Sequence, residues 1–196
     1  MRKAKEARKT NETNVSIELN IDGRGQYDVE TGCGFLDHML ELFSRHGRFD
    51  LTLRCSGDAE VDYHHTVEDV GIVLGRAFKQ ALGDCRGIKR YASSTLPMDE
   101  ALVMVSLDVS GRGGAFLELS IPGFKIGGFD TELVAEFFFA FSRESGVTLH
   151  IRKLAGSNAH HIAEAAFKGF ARALSDAVKQ DPAAPDDIPS TKGVIL

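Results

Sequence analysis

The chain has 196 residues, 43% of them hydrophobic, which is enough to bury a full core without cross-links. Its formal net charge of −5 excludes general nucleic-acid binding, so any anionic ligand has to meet a local cluster of Lys and Arg. Three cysteines, Cys33, Cys55 and Cys85, form no Cys-x-x-Cys, which argues against a zinc ribbon and a disulfide framework and fits a reducing, cytoplasmic compartment.

Residues 1–10 are basic and polar with no apolar region behind them, and no stretch approaches the ~18 apolar residues of a membrane span. The protein is therefore expected to be soluble and untargeted. Val15, Ile17 and Leu19 alternate with polar residues, Gly23 to Gly25 supplies a turn, and Tyr27 and Val29 alternate again, which predicts an opening hairpin. Phe35, Leu36, Met39, Leu40 and Phe43 recur at helical spacing up to Gly47. A strand over 49–55 and a helix over 64–82 follow, the latter stopped by Gly83. The second half predicts strands over 102–109 and 115–121, a helix over 131–143, a strand over 147–151 and a helix over 158–178.

The residues repeat along with the pattern. Phe43-Ser44-Arg45 matches Phe141-Ser142-Arg143, Thr52-Leu53 matches Thr148-Leu149, and His64-His65-x-x-Glu68 matches His160-His161-x-x-Glu164, the last two pairs at one constant offset. This is an internal duplication. Each half, with about four strands and two helices, buries too little alone, so an α+β fold is expected. Residues 1–92 and 93–180 are its two half-domains, packed about a pseudo-twofold with helices between the sheets. From 181 to 196 the sequence turns to Pro and Asp, an extended tail.

On a helix, residues four apart share a face while neighbours diverge by about 100°. His64 and Glu68 can therefore grip one ion while His65 points elsewhere, and the second motif repeats this. If the motifs face each other across the pseudo-twofold, the simplest closed arrangement gives one metal His64, Glu68 and His161, and the other His160, Glu164 and His65. His38 and His150 are placed to complete these shells. Three imidazoles and one carboxylate leave open positions on a six-coordinate ion, which suits Mn²⁺ or Fe²⁺ better than closed structural zinc. An isolated His-x-x-x-Glu pair is ordinarily an exposed contact worth about 0.2–0.5 kcal/mol. Two copies in register are a different matter, because adjacent histidines opening a helix pack poorly and cost desolvation when unpaired.

Other motifs fail: Gly111-Arg-Gly-Gly114 lacks the spacing of a dinucleotide loop, and there is neither a Walker lysine nor a His-Glu-x-x-His. A metal pair in this pattern is open to a protein that uses metal only to join subunits, to a dinuclear metallohydrolase and to metal-dependent enzymes of other kinds. A purely structural site needs no anion cradle, so the Ser190-Thr191-Lys192 tail and the arginines speak against the first.

Five segments, Gly34-Phe-Leu-Asp-His38-Met-Leu, Asp62-Tyr-His64-His65-Thr-Val-Glu68-Asp, Pro97-Met-Asp-Glu100, Asn158-Ala-His160-His161-Ile-Ala-Glu164-Ala and Pro189-Ser-Thr-Lys192-Gly, together resemble the imidazoleglycerol-phosphate dehydratase family of histidine biosynthesis. The resemblance spans nearly the whole chain. It implies metal-dependent dehydration of a small phosphate ester, imidazole glycerol phosphate, to imidazole acetol phosphate. It implies two Mn²⁺ ions per active site, formed where subunits meet in a homo-oligomer of twenty-four. The family pattern groups His38, His65, His160 and Glu164 on one ion and His64, Glu68, His150 and His161 on the other. It also implies substrate contacts from Glu12, His38, Arg90, Arg112, Ser190, Thr191 and Lys192, with catalytic carboxylates at Glu12, Glu68 and Glu164. Lys168, four residues beyond Glu164 on the same helical face, and His46, eight beyond His38, are placed to contact substrate too. Glu12 is the candidate base, Asp99 and Glu100 are expected to act behind the ligands, and the tail is expected to close over the substrate. The chemistry explains the need for metal: the carbon that loses its proton has no carbonyl to acidify it, and coordination eases deprotonation of the imidazole ring so that the hydroxyl can leave, giving a diazafulvene.

Overall fold

A computed structural model describes residues 1–195. The first half runs β1 (Lys3–Lys9), β2 (Thr13–Asn20), β3 (Tyr27–Glu30), α1 (Gly34–Gly47), β4 (Asp50–Gly57) and α2 (His64–Leu82). The second half repeats it as β5 (Tyr91–Met98), β6 (Ala101–Asp108), β7 (Gly114–Glu118), a small hairpin of β8 (Lys125–Ile126) and β9 (Phe129–Asp130), α3 (Leu133–Ser145), β10 (Thr148–Ala155) and α4 (Ala159–Ala177). The two main sheets have one topology, β1-β2-β4-β3 and β5-β6-β10-β7, and each is antiparallel except for its last pair.

The opening hairpin expected between residues 15–19 and 27–29 does not form. β2 pairs with β1 on one side and β4 on the other, while β3 lies parallel to β4 at the far edge. Alternation fixes that a segment is a strand but not its partner, and here Asp50 decides the route. Its carboxylate accepts from the backbone N–H of Arg24 at 2.7 Å and Gln26 at 3.1 Å and from the Asn20 side chain at 2.9 Å, so the chain wraps around the start of β4. A Cβ on Gly23 would lie 2.4 Å from the Asp50 nitrogen, so this approach requires glycine.

Residues 3–9, for which the sequence pattern predicts no element, are strand β1. Only Ala4 turns fully inward, and the outward lysines suit an exposed sheet edge. β5 is likewise an edge strand, which is why Pro97 is tolerated in it.

The four helices lie between the sheets. α2 packs on β1 and β2, α4 on β5 and β6, and the halves interlock because α1 meets α4 and α2 meets α3. Phe43, Phe137, Phe138, Phe141, Phe167 and Phe170, each under 2% exposed, stack and tilt against one another at this junction. Gly71 and Gly75 let α2 approach α3 closely: a Cβ would sit 2.8 Å from Ala140 Cβ at the first and 2.7 Å from the Phe141 carbonyl at the second. No helix among the described residues is long and apolar enough to cross a membrane.

The tail is tied down more than its composition suggests. The Gly87 N–H donates to Asp187 at 2.7 Å, the Asp181 N–H to Gly87 at 2.7 Å, and an Arg90 guanidinium N–H to the Pro189 carbonyl at 2.7 Å. Among the described residues beyond Pro189 the hydrogen bonds are local turns, such as the Gly193 N–H to Ser190 at 2.9 Å.

Candidate metal centre

The two His-His-x-x-Glu motifs open α2 and α4. Asn158 caps α4 by accepting from the N–H groups of His160 and His161 at 2.9 and 3.2 Å, and Asp62 accepts from the His64 N–H at 2.7 Å. Both starts are therefore fixed in direction.

At the first, His38 from α1 joins His160 and Glu164 from α4, with one ligand atom of each within 4.8 Å of the others. The ring of Phe35 meets His160 edge-on, 5.4 Å between centroids. Glu164 is buried, which alone would push its carboxyl up, but Lys168 pairs with it directly, aided by His38 and His160, and the net shift is downward. The carboxylate is thus ready to ligate. At the second, His64 and Glu68 from α2 are joined by Glu136 from α3 within the same 4.8 Å, and Arg143 reaches Glu68 at 3.4 Å. Imidazole nitrogens with carboxylate oxygens at this spacing suit a divalent ion such as Mn²⁺, and the donor sets fit it.

The remaining histidines stand apart from both trios. His65 Nδ1 is 2.9 Å from Asp58, with Glu12 3.8 Å from its Nε2. His161 Nδ1 is 2.7 Å from Glu100, with Asp99 3.7 Å from its Nε2. Asp58 and Glu100 each hold one ring nitrogen and leave Nε2 without a hydrogen bond among the described residues, the usual way of orienting a ligating imidazole. The pairing raises the pKa of both histidines, chiefly through the Asp58 and Glu100 hydrogen bonds. Glu100 itself is lowered to about 2, first by His161 and then by the N–H groups of Asn158 and Ser157. His150 stacks on Phe116, 4.7 Å between centroids, on the sheet face opposite the buried Leu149 and Ile151. A closed arrangement of both motifs is therefore not formed within one chain, among the described residues.

Arg90, Arg112, Ser190, Thr191 and Lys192 come together around one cavity of about 700 Å³, with Tyr91 and Ser110. Asp108 orders it, accepting from Arg90 at 2.8 Å with Arg112 3.8 Å away. Lys168 is not part of this cavity but stays beside Glu164. His46 sits with Arg172 in a smaller basic cleft, its pKa lowered by burial first and then by Lys168 and Arg172. Asp58 and Glu136 escaped the sequence reading. The first carries no motif, whereas the second was within reach, since it lies as far before Phe141 as His38 lies before Phe43.

Residues 31–174 match the family model described as imidazoleglycerol-phosphate dehydratase. The chain belongs to the imidazoleglycerol-phosphate dehydratase family. That match takes in both His-His motifs, His38 and Glu136 and stops before the tail. Full-length relatives of the same name cover the tail too: one from Xanthobacter autotrophicus is 59% identical over 199 residues, 100% of this chain and 99% of its own. Another, from Jannaschia sp., is 57% identical over 193 residues, 98% of this chain and 99% of its own. Two crystal structures of imidazoleglycerol-phosphate dehydratases share the fold. The Staphylococcus aureus protein superposes at a TM-score of 0.83 with 38% identity, covering 91% of this chain and 99% of that one. The Pyrococcus furiosus protein, in complex with (S)-C348, superposes at 0.82 with 36% identity, covering 96% and 99%.

Proposed function

We propose that this chain works as a lyase whose active site is completed between copies of itself. It dehydrates imidazole glycerol phosphate to imidazole acetol phosphate and water, a step of histidine biosynthesis. One observation carries the shared site. β6 begins at Ala101, next to the Glu100 that holds His161, and ends at Asp108, which orders the cationic cavity. At about 3.4 Å per residue the two ends are roughly 24 Å apart, too far for one small substrate to span. The phosphate cavity of one copy therefore serves the histidine cluster of another.

Two Mn²⁺ ions per active site are held in this reading by His38, His65, His160 and Glu164 and by His64, Glu68, His150 and His161. The Nε2 atoms of His65 and His161, which carry no hydrogen bond among the described residues, and the exposed ring of His150 support contributions across a subunit boundary. When bound, the ions supply the positive charge that lets the imidazole ring of the substrate give up its proton. Arg90, Arg112 and Lys192, with the Ser190 and Thr191 hydroxyls, bind the phosphate and fix the far end of the substrate. Glu12 is the carboxylate that takes the proton from the carbon next to the departing hydroxyl, its Oε1 being 3.8 Å from His65 Nε2. Asp58 and Glu100 keep the two imidazoles oriented, and Lys168 keeps Glu164 ionised. The assembly is a homo-oligomer of twenty-four in the cytoplasm, with no nucleic-acid or membrane partner.

Mixing two inactive variants tests the shared site. Glu164→Ala damages the histidine end and the double variant Arg112→Ala/Lys192→Ala the phosphate end. Dissociating, mixing and reassembling them should return activity, because some sites then combine an intact half from each. If each chain carried a complete site, no mixture would recover activity.

A further inference from the structure

We infer that Asp69 is a positioning residue for Glu12: it holds the β1–β2 turn so that the Glu12 carboxylate stays at the histidine cluster with no partner of its own. The inference rests on the reading of Glu12 as the proton acceptor and goes beyond it, since that reading names no group that places Glu12.

The connection runs through the turn. Asp69 follows Glu68 on α2 and is 5% exposed. One of its carboxylate oxygens accepts both from the Arg8 guanidinium near the end of β1 and from the hydroxyl of Thr13, which opens β2. The Thr13 N–H donates to the Thr10 hydroxyl oxygen at 2.9 Å, the Glu12 N–H donates to the same oxygen at 3.1 Å, and the Thr10 N–H reaches the Thr13 carbonyl at 2.8 Å. Both strands flanking the turn, and through Thr10 the backbone of Glu12, are thus tied to one buried carboxylate. A buried carboxylate has to be paired, and Arg8 alone meets that need. The Thr13 hydroxyl does something more, since it carries the contact into the turn. The Glu12 side chain, by contrast, accepts no hydrogen bond among the described residues and lies 3.8 Å from His65 Nε2.

The duplication shows what Asp69 adds. In the second half the turn between β5 and β6 is Asp99-Glu100, and Glu100 accepts from the N–H groups of Ser157 at 3.1 Å and Asn158 at 2.7 Å, with His161 Nδ1 at 2.7 Å. The carboxylate of that turn is itself the anchor. Opposite Asp69, at the constant offset of the two motifs, stands the buried Ala165. In the first half the tasks are divided: Asp58 holds the His65 ring, Asp69 holds the turn, and Glu12 does neither. A base needs free lone pairs and a fixed place beside the reacting carbon, and this division provides both.

Steady-state kinetics of the Mn²⁺-loaded full chain test the role, with hydrogen exchange over residues 9–14 as a readout independent of turnover. Glu12→Gln should lower kcat by about 10²–10⁴-fold. Asp69→Asn and Thr13→Val should speed exchange across the turn and lower kcat by roughly 10- to 100-fold, with KM and calorimetric Mn²⁺ affinity held. Thr13→Ser, which keeps the hydroxyl, should restore both. Because Asp69 acts through Glu12, adding Asp69→Asn or Thr13→Val to Glu12→Gln should slow it no further, whereas a residue that only supports the fold would add its own loss. Circular dichroism checks the fold, and Thr13→Val carries the test where Asp69→Asn does not fold. Folded variants with parental kcat, or losses that add to that of Glu12→Gln, overturn the role of Asp69 and leave Glu12 as the base. Parental kcat in Glu12→Gln overturns the reading of Glu12 and this inference together.

Discussion

Lys192→Ala separates the tail's role in substrate binding from any role in folding. Lys192 lines the cationic cavity with Arg90, Arg112, Ser190 and Thr191, but its own backbone bond is a local one to the Ser190 hydroxyl at 3.2 Å. The anchoring of the tail lies upstream, in the bonds from Gly87 and Arg90 to Asp187 and Pro189. Removing the ammonium should therefore leave the melting temperature and metal content unchanged. It deletes one partner of a charge pair with phosphate, a loss of about 2–4 kcal/mol. At 1.36 kcal/mol per tenfold, kcat/KM should fall by roughly 30- to 1,000-fold, with most of the effect in KM. Arg90→Ala should be worse for stability as well, because it also frees Asp108 and the Pro189 carbonyl. Limited proteolysis distinguishes the two: the parent and Lys192→Ala should resist cleavage over residues 181–189, and Arg90→Ala should be cut there quickly. Parental turnover by Lys192→Ala would show that the tail is a passive terminus.

Three further outcomes follow from the geometry. Glu100→Gln should weaken Mn²⁺ binding about 10–100-fold in calorimetry, since the amide no longer holds His161 in one tautomer. Asp50 is partly buried, which alone would raise its pKa, but the N–H groups of Arg24 and Gln26 and the Asn20 side chain lower it overall. Its contribution is thus full above the ordinary Asp pKa of about 3.9 and fades as pH falls toward its lower folded value. Denaturant titrations of the parent should show this acid loss, and Asp50→Asn should be less stable at neutral pH with a flatter acid limb. Gly75→Ala should force α2 away from the Phe141 carbonyl and cost about 1–3 kcal/mol, read as a lowered melting temperature.

The repeated motifs made the architecture legible before the coordinates did. Both long helices begin within a residue of the predicted starts, because His64 and Asn158 mark the change from strand to helix chemistry. Strand partners were another matter. β2 and β3 carry the alternation of a hairpin, and only the side chain of Asp50, thirty residues from Asn20, sends them to opposite sides of β4. β1 went unread because an edge strand with one buried residue has almost no apolar period to detect. At the site, the i,i+4 pairs were visible from helical geometry. What joins them from outside was legible only in part: the family pattern grouped His38 with His160 and Glu164, whereas Glu136, which arrives across the α2–α3 contact, lies in neither motif and was missed. The tail's cations were expected at a phosphate and do share one cavity, while the hydrogen bonds that pin its first half to residues 86–90 depend on a close approach of Gly87 to Pro185.

The most direct measurement is product analysis on the purified chain. Loaded with Mn²⁺ and given imidazole glycerol phosphate, it should form imidazole acetol phosphate, detected as a new ketone, at one water lost per substrate with no free phosphate, and a chelator should stop the reaction. Release of inorganic phosphate without ketone would identify a hydrolase instead, and ketone formation unaffected by the chelator would remove metal from the mechanism.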